Sequence, residues 1–273
     1  MSHLVVKDLS KTYVDEHRGE DVLALDRATF EVDDGEFIAL LGPSGCGKTT
    51  ILNTVAGFIE PTSGEIRLND RPIRGPGPDR GVVFQSFALF PWKTVLGNVA
   101  FGPKMAGIPR REREERAREY IRLVGLEGFE DRYPHELSGG MQQRVGVARV
   151  LATDPKVMLM DEPFASVDAQ TRMKLQEDLT RIWGKRHTTI LFVTHDIEEA
   201  VFLADRVVVM SPRPGRIREI LDVPLSRPRK WEGLIEDKAF SSTVHRIMGL
   251  MAETERESDT EEQEAAQADA ARP

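Results

Sequence analysis

FIALLGPSGCGKTTILNTVAGF, residues 37–58, reads as an apolar strand, a glycine-rich loop and a helix in immediate succession. Within it, residues 42–49, GPSGCGKT, fit G-x-x-x-x-G-K-[ST], a pattern expected by chance in roughly one chain in a hundred of this length. A phosphate needs backbone N–H donors that come close to it. Gly42, Gly45 and Gly47 allow that approach without a side chain in the way, and Pro43, Ser44, Cys46 and Thr50 complete the cradle. Lys48 offers a point charge to β- and γ-phosphates, and Thr49 a hydroxyl ligand for Mg²⁺. Cys46 reads as a small filler whose side chain points away from the ligand.

Outward from this stretch, short apolar runs recur at 37–41, 81–84, 157–160, 189–193 and 207–210, each bounded by Gly, Pro or Asp. Runs apolar at consecutive positions suit strands covered on both faces, as in a parallel sheet. Helical patterns fall between them. After Asp168, a candidate N-cap, Leu175, Leu179, Ile182 and Trp183 lie at i, i+4, i+7 and i+8 and form one stripe. The fold class is therefore α/β. Residues 86–154 hold the charge-dense RREREERAREYIR and few strand signals, so they read as a helical insert in that body.

Composition limits the alternatives. The chain has 273 residues, 40% hydrophobic and 30% charged, enough for a sizeable core. No stretch approaches 18 uncharged apolar residues, which argues against a membrane span, and the N-terminal sequence lacks a secretory pattern. A single cysteine cannot make an internal disulfide, no Cys/His cluster suggests zinc, and the compartment reads as the reducing cytosol. The net charge of −8 argues against broad nucleic-acid binding, but it is unevenly placed. Residues 253–273 hold eight acids and two arginines, leaving only −2 for residues 1–252. With no aromatic or β-branched aliphatic residue, that segment reads as a disordered acidic tail, dispensable for chemistry beyond Ala252.

Two further motifs bear on chemistry. VMLMDEP, residues 157–163, ends a strand in Asp161, a carboxylate placed to meet the cation on Thr49. Glu162 next to it can hold an attacking water as general base. Paired acids after a strand are often only a helix cap; beside a phosphate loop the catalytic reading prevails. LSGGMQ, residues 137–142, places Ser138, Gly139 and Gly140 at the start of a helix-compatible run, a second N–H-rich site suited to an anion. It lies about 95 residues from the first, which invites a dimeric reading.

In this order, the phosphate loop, Gln85 in VVFQ, LSGGMQ, VMLMDEP and His195 in FVTHD resemble the ATP-binding subunit of an ABC transporter over about residues 1–220. The resemblance implies a P-loop NTPase cassette with a RecA-like core sheet and the helical subdomain at 86–154. Residues 1–224 would be the ATPase domain and 225–252 a C-terminal helical extension. It implies ATP and Mg²⁺, a homodimer in which Ser138, Gly139 and Gly140 close on the partner's nucleotide, and Asp168 crossing the interface. Tyr13 matches the aromatic that stacks on adenine. Gln85 matches the residue that contacts Mg²⁺ and water and senses the membrane partner, and His195 the histidine on the γ-phosphate. Lys48, Gln85, Glu162 and His195 would be the catalytic set. Met141 and Val167 depart from the family's usual Gln and Leu without removing a donor, ligand or base.

Partners follow from the same resemblance. Residues 84–102, FQSFALFPWKTVLGNVAFG, are apolar and aromatic, and Phe87, Phe90 and Trp92 lie close enough to form a patch for a partner. By resemblance this is the socket for a membrane permease, which places the chain peripherally on the cytoplasmic face of the inner membrane. A solute-binding protein would act only indirectly, and nucleic acid not at all. DRGVVFQSFALFPWKTVLGNVAFG, residues 79–102, and MSPRPGRI, residues 210–217, look like the import branch serving nitrate, sulfonates, taurine and bicarbonate, related branches carrying thiamine-precursor pyrimidines or riboflavin. The expected cargo is a sulfonate, taurine or nitrate-like anion. A soluble ABC-type ATPase acting without a permease is the remaining alternative; tandem cassettes, coiled-coil inserts or zinc modules would mark it, and the sequence has none.

Overall fold

The computed structural model describes residues 3–15, 20–86, 88–165, 167–234 and 236–270. Two sheets enclose the first helix. Strands β1 (Leu4–Asp15) and β2 (Glu20–Val32) pair antiparallel, and with β3 (Phe37–Leu41) they lead into α1 (Lys48–Ala56). After β4 (Ser63–Leu68) and β5 (Arg71–Pro72), the first sheet is complete in the order β2-β1-β4-β5. Its inward side chains, among them Leu4, Val6, Phe30 and Ile66, pack with Ile51, Leu52 and Val55 of α1 into one core.

The second sheet carries the chemistry. It joins β6 (Arg80–Val83), β7 (Val157–Asp161), β8 (Thr189–Thr194), β9 (Arg206–Met210) and β10 (Ile217–Asp222) to β3 in the order β10-β9-β3-β8-β7-β6. All five apolar runs read from the sequence are strands of this sheet. β6, β7, β8, β3 and β9 are parallel, and β10 closes the edge antiparallel to β9. Every residue of β3 and β8 is buried, as strands covered on both faces require.

Between β6 and β7 the described elements are helical: α2 (Val95–Val99), α3 (Phe101–Met105), α4 (Arg110–Leu123), a 3₁₀ turn (Pro134–Glu136) and α5 (Gly139–Leu151). α4 turns Ala117, Tyr120 and Ile121 inward, while Arg110–Glu114 and Arg111–Glu115 pairs line its wet face. α6 (Ala169–Arg186) follows β7 with the predicted stripe Leu175, Leu179, Ile182 and Trp183 buried, and α7 (Ile197–Leu203) follows β8.

After β10 come the short α8 (Trp231–Leu234) and α9 (Lys238–Ala270), whose Phe240 and Ile247 join the core. From Glu253 on, where composition offers little to pack, α9 keeps a helical backbone to Ala270; the last buried side chain described is Thr254. Among the described residues no helix is long and apolar enough to cross a membrane.

Candidate active site

Register brings the candidate residues to one edge. Leu41 pairs with Thr194, Asp161 with Val193 and Val83 with Met160, so the C-terminal ends of β3, β8, β7 and β6 stop side by side. The phosphate loop leaves β3 there, His195 follows β8, Glu162 follows β7, and Gln85 lies two residues past β6. This is where open parallel sheets hold ligands.

The loop enters α1 through Gly47, its N-cap residue at φ 91°, a backbone that favours glycine; a Cβ there would also sit tightly, 3.1 Å from the Ala24 carbonyl oxygen. Ser44 and Gly45 form the exposed crest, the latter at φ 80°. Lys48 opens the helix, is buried, and donates to the carbonyls of Gly42 at 2.7 Å and Pro43 at 2.8 Å. Its ammonium is thus folded back on the loop, ready to be shared with a phosphate. Cys46 is fully buried with its Sγ 3.8 Å from Lys48 Nζ, and burial pushes its thiol up, which agrees with a filler role.

Thr49 Oγ1 donates to Asp161 Oδ1 at 3.2 Å. Burial pushes the Asp161 carboxyl up and the Glu162 charge adds to that, while the Thr49 bond and the Lys48 charge oppose it. A hydroxyl and a half-buried carboxylate form a hard-oxygen donor pair that fits Mg²⁺. Among the described residues no group of three or more His, Cys, Asp or Glu gathers, so a cation here would complete its shell from phosphate and water.

Glu162 has φ 42°, an uncommon left-handed backbone for a non-glycine, and its N–H is fixed on the Val193 carbonyl at 3.0 Å. Its Oε2 lies 3.2 Å from His195 Nδ1. A carboxylate aimed by a histidine at the mouth of a phosphate loop can hold and deprotonate water there. Gln85 is exposed and makes no hydrogen bond among the described residues, so the sheet brings it to this edge without joining it to Thr49 or Asp161.

Tyr13 sits above the start of α1, its hydroxyl 3.4 Å from Thr50 Oγ1 and Lys11 Nζ 5.3 Å from its ring. The half-exposed ring is free to stack on a base.

Ser138 caps α5, its Oγ accepting from Met141 N at 3.3 Å, and Gly139 has open space where a side chain would be. This helix start makes no hydrogen bond to the phosphate loop of its own chain among the described residues. Asp168 caps α6 by accepting from Thr171 N at 3.0 Å, a bond that holds its carboxyl below the usual range. A Cβ on Gly140 would come within 2.9 Å of Thr171 Cγ2, so the LSGG turn and the Asp168 cap are neighbours, a link with no local signature in the sequence.

The aromatic stretch divides. Phe90 is half-buried against Phe101, ring centroids 4.5 Å apart, whereas Trp92 is 70% exposed. Phe84 is exposed and stacks on exposed Phe58. Phe87 lies outside the described residues.

Comparison with known proteins agrees with this geometry. The family model described as ABC transporter matches residues 25–165. An uncharacterized ABC transporter ATP-binding protein of Methanocaldococcus jannaschii is 56% identical over 226 residues, covering 83% of this chain and 84% of that protein. The taurine import ATP-binding protein TauB of Rhizobium johnstonii is 53% identical, covering 77% and 80%. Among solved structures, the ATP-binding cassette MJ0796, a dimer in a post-hydrolysis state bound to ADP and Pi, matches with a TM-score of 0.69 at 31% identity, covering 82% of this chain and all of that one.

Proposed function

Because the chain belongs to the ABC transporter family, we propose that it is the ATP-hydrolysing subunit that drives import of taurine or a related sulfonate through a separate permease. Its ATPase activity is that of the cassette family. The carrying observation is the convergence of Lys48, the Thr49–Asp161 pair and the His195–Glu162 pair on one sheet edge.

In this reading the N–H groups of residues 42–49 and Lys48 hold the phosphates, and Tyr13 stacks on adenine. Thr49 and Asp161, with Gln85, would hold Mg²⁺, which when bound would supply charge neutralisation to the phosphates. Glu162 positions water in line with the γ-phosphorus and takes its proton. His195 hydrogen-bonds the γ-phosphate and keeps Glu162 in place. Most of the acceleration comes from positioning and fixed charge, because phosphoryl transfer leaves the protein little covalent work.

Two copies would share each nucleotide. The helix start at Ser138, Gly139 and Gly140 makes no hydrogen bond to its own phosphate loop among the described residues, so its N–H groups suit a γ-phosphate held by a partner copy, with Asp168 beside them at the interface. The permease would dock where Phe84 and Trp92 are exposed, beside a groove of about 570 Å³ lined by Phe101, Pro103, Met105 and Arg149. That docking keeps the subunit on the cytoplasmic face of the membrane.

Taurine or a sulfonate is favoured because two relatives named taurine import ATP-binding proteins are 53% and 50% identical to this chain. Deleting the gene should abolish growth on taurine or an alkanesulfonate as sole sulfur source, and re-expression should restore it. Normal growth of the deletion strain on both would contradict the cargo.

A further inference from the structure

A chain of buried polar side chains runs from the C-terminal extension to the loop that carries His195. Trp231 Nε1 donates to Gln176 Oε1 at 3.0 Å, and Gln176 Nε2 donates to Glu199 Oε1 at 2.8 Å. Thr194 Oγ1 donates to Glu199 Oε2 at 2.5 Å and accepts from the Asp196 N–H at 3.0 Å. Asp196 Oδ1 in turn accepts from the Glu199 N–H at 3.0 Å. The residues on both sides of His195 are therefore tied to Glu199. Gln176 is 2% exposed, Glu199 6% and Thr194 1%, so no water competes for these groups and each bond matters more than it would at the surface.

The other end is held just as firmly. The Trp231 ring lies flat on Phe202 of α7, centroids 4.3 Å apart at 4°, and its backbone N–H is held by Glu177 Oε1 at 3.1 Å. Two residues earlier, buried Arg229 donates to the carbonyls of Val201, Phe202 and Ala204, closing the C-terminal end of α7. The extension thus grips α7 at its tail directly and at its head through Gln176 and Glu199.

We propose that Trp231, seated on Phe202 beside the Arg229 contacts, makes the C-terminal extension a positioning element for catalysis: through Gln176 and Glu199 it fixes Thr194 and Asp196, and so aims His195 at Glu162. The proposal rests on the reading of His195 and Glu162 given under the proposed function. Gln176, Glu199 and Trp231 touch no reacting atom; they act through His195.

The test is Trp231→Phe, which keeps a ring on Phe202 and removes the N–H donor together with part of the indole. Single-turnover hydrolysis with enzyme in excess of labelled MgATP is measured for wild type, Trp231→Phe, His195→Ala and the double variant, together with ATP affinity and thermal melts. Trp231→Phe should slow hydrolysis about fivefold, the worth of one net hydrogen bond, with ATP affinity unchanged, and should lower the melting temperature because Gln176 Oε1 is left buried without its donor. In the His195→Ala background it should cost nothing further, because the group it aims is gone. A Trp231→Phe rate equal to wild type, or the same loss in both backgrounds, overturns the proposal while leaving the catalytic reading intact. If His195→Ala hydrolyses too slowly to resolve, the split between rate and affinity in Trp231→Phe decides alone, and a rate loss matched by lost affinity overturns it. A His195→Ala variant as fast as wild type would instead overturn the catalytic reading.

Discussion

Replacing Lys48 by alanine removes a buried ammonium that now bonds two loop carbonyls, Gly42 O at 2.7 Å and Pro43 O at 2.8 Å. When ATP arrives, one of these bonds is exchanged for a phosphate contact. A unit charge about 4 Å from a phosphate oxygen gains about 4 kcal/mol at an effective dielectric near 20. Giving up one charge-assisted loop bond returns about 1.5 kcal/mol of that. The net contribution is about 2–3 kcal/mol, so Lys48→Ala should weaken ATP binding about 30- to 150-fold. The same change strips two carbonyls of their donor, and the apo variant should lose about 1–3 kcal/mol of stability. Fluorescent-nucleotide titration reads the first effect and urea unfolding the second. An ATP dissociation constant within about threefold of wild type would refute the phosphate contact, since roughly 0.7 kcal/mol is too little for a buried charge facing a phosphate.

Cys46 gives a second check. Its thiol is fully buried and burial pushes its pKa up, so iodoacetamide should label the native chain more slowly than the urea-unfolded chain by at least about tenfold. Adduct forced onto it should block ATP binding; full ATPase activity after quantitative modification would contradict that. Glu199 predicts a pH dependence. Burial holds its folded pKa above the usual 4.5, so the neutral carboxyl stabilises the fold at acid pH, and that contribution is lost as pH rises from about 4.5 through the folded value. Glu199→Gln keeps a neutral side chain throughout, so its urea midpoint relative to wild type should rise between pH 4.5 and 8; a constant difference would contradict this assignment. Truncation after Arg256 preserves buried Thr254 and should leave hydrolysis within about twofold of wild type, whereas a larger loss would give the acidic stretch a role in turnover.

The inner runs of the catalytic sheet were legible because a strand buried on both faces is apolar along its length, and residues 157–160 are all buried; the edge strand at 80–83 buries only Val83. β1 and β2 were harder to read. Their pairing is broken by register shifts around Leu9 and Lys11, which destroy the period of two. β10, IREILD, is a half-exposed edge strand whose charges hide it. At the site, the Gly-rich loop, Asp161, Glu162 and His195 carry their chemistry in consecutive residues. The neighbourhood of Gly140 with Thr171, and the run from Trp231 through Gln176 to Glu199, join residues distant in sequence. Nothing local marks Gln176 or Glu199 as more than helix positions; only the fold places them side by side.

Glu162→Gln decides the central claim that Glu162 activates water on bound ATP. The substitution keeps the side chain's length beside His195 and removes its charge and its ability to accept a proton. Phosphate release from MgATP should fall at least about 100-fold while ATP binding persists and light scattering detects an ATP-dependent dimer. Phosphate release close to wild type would contradict the account.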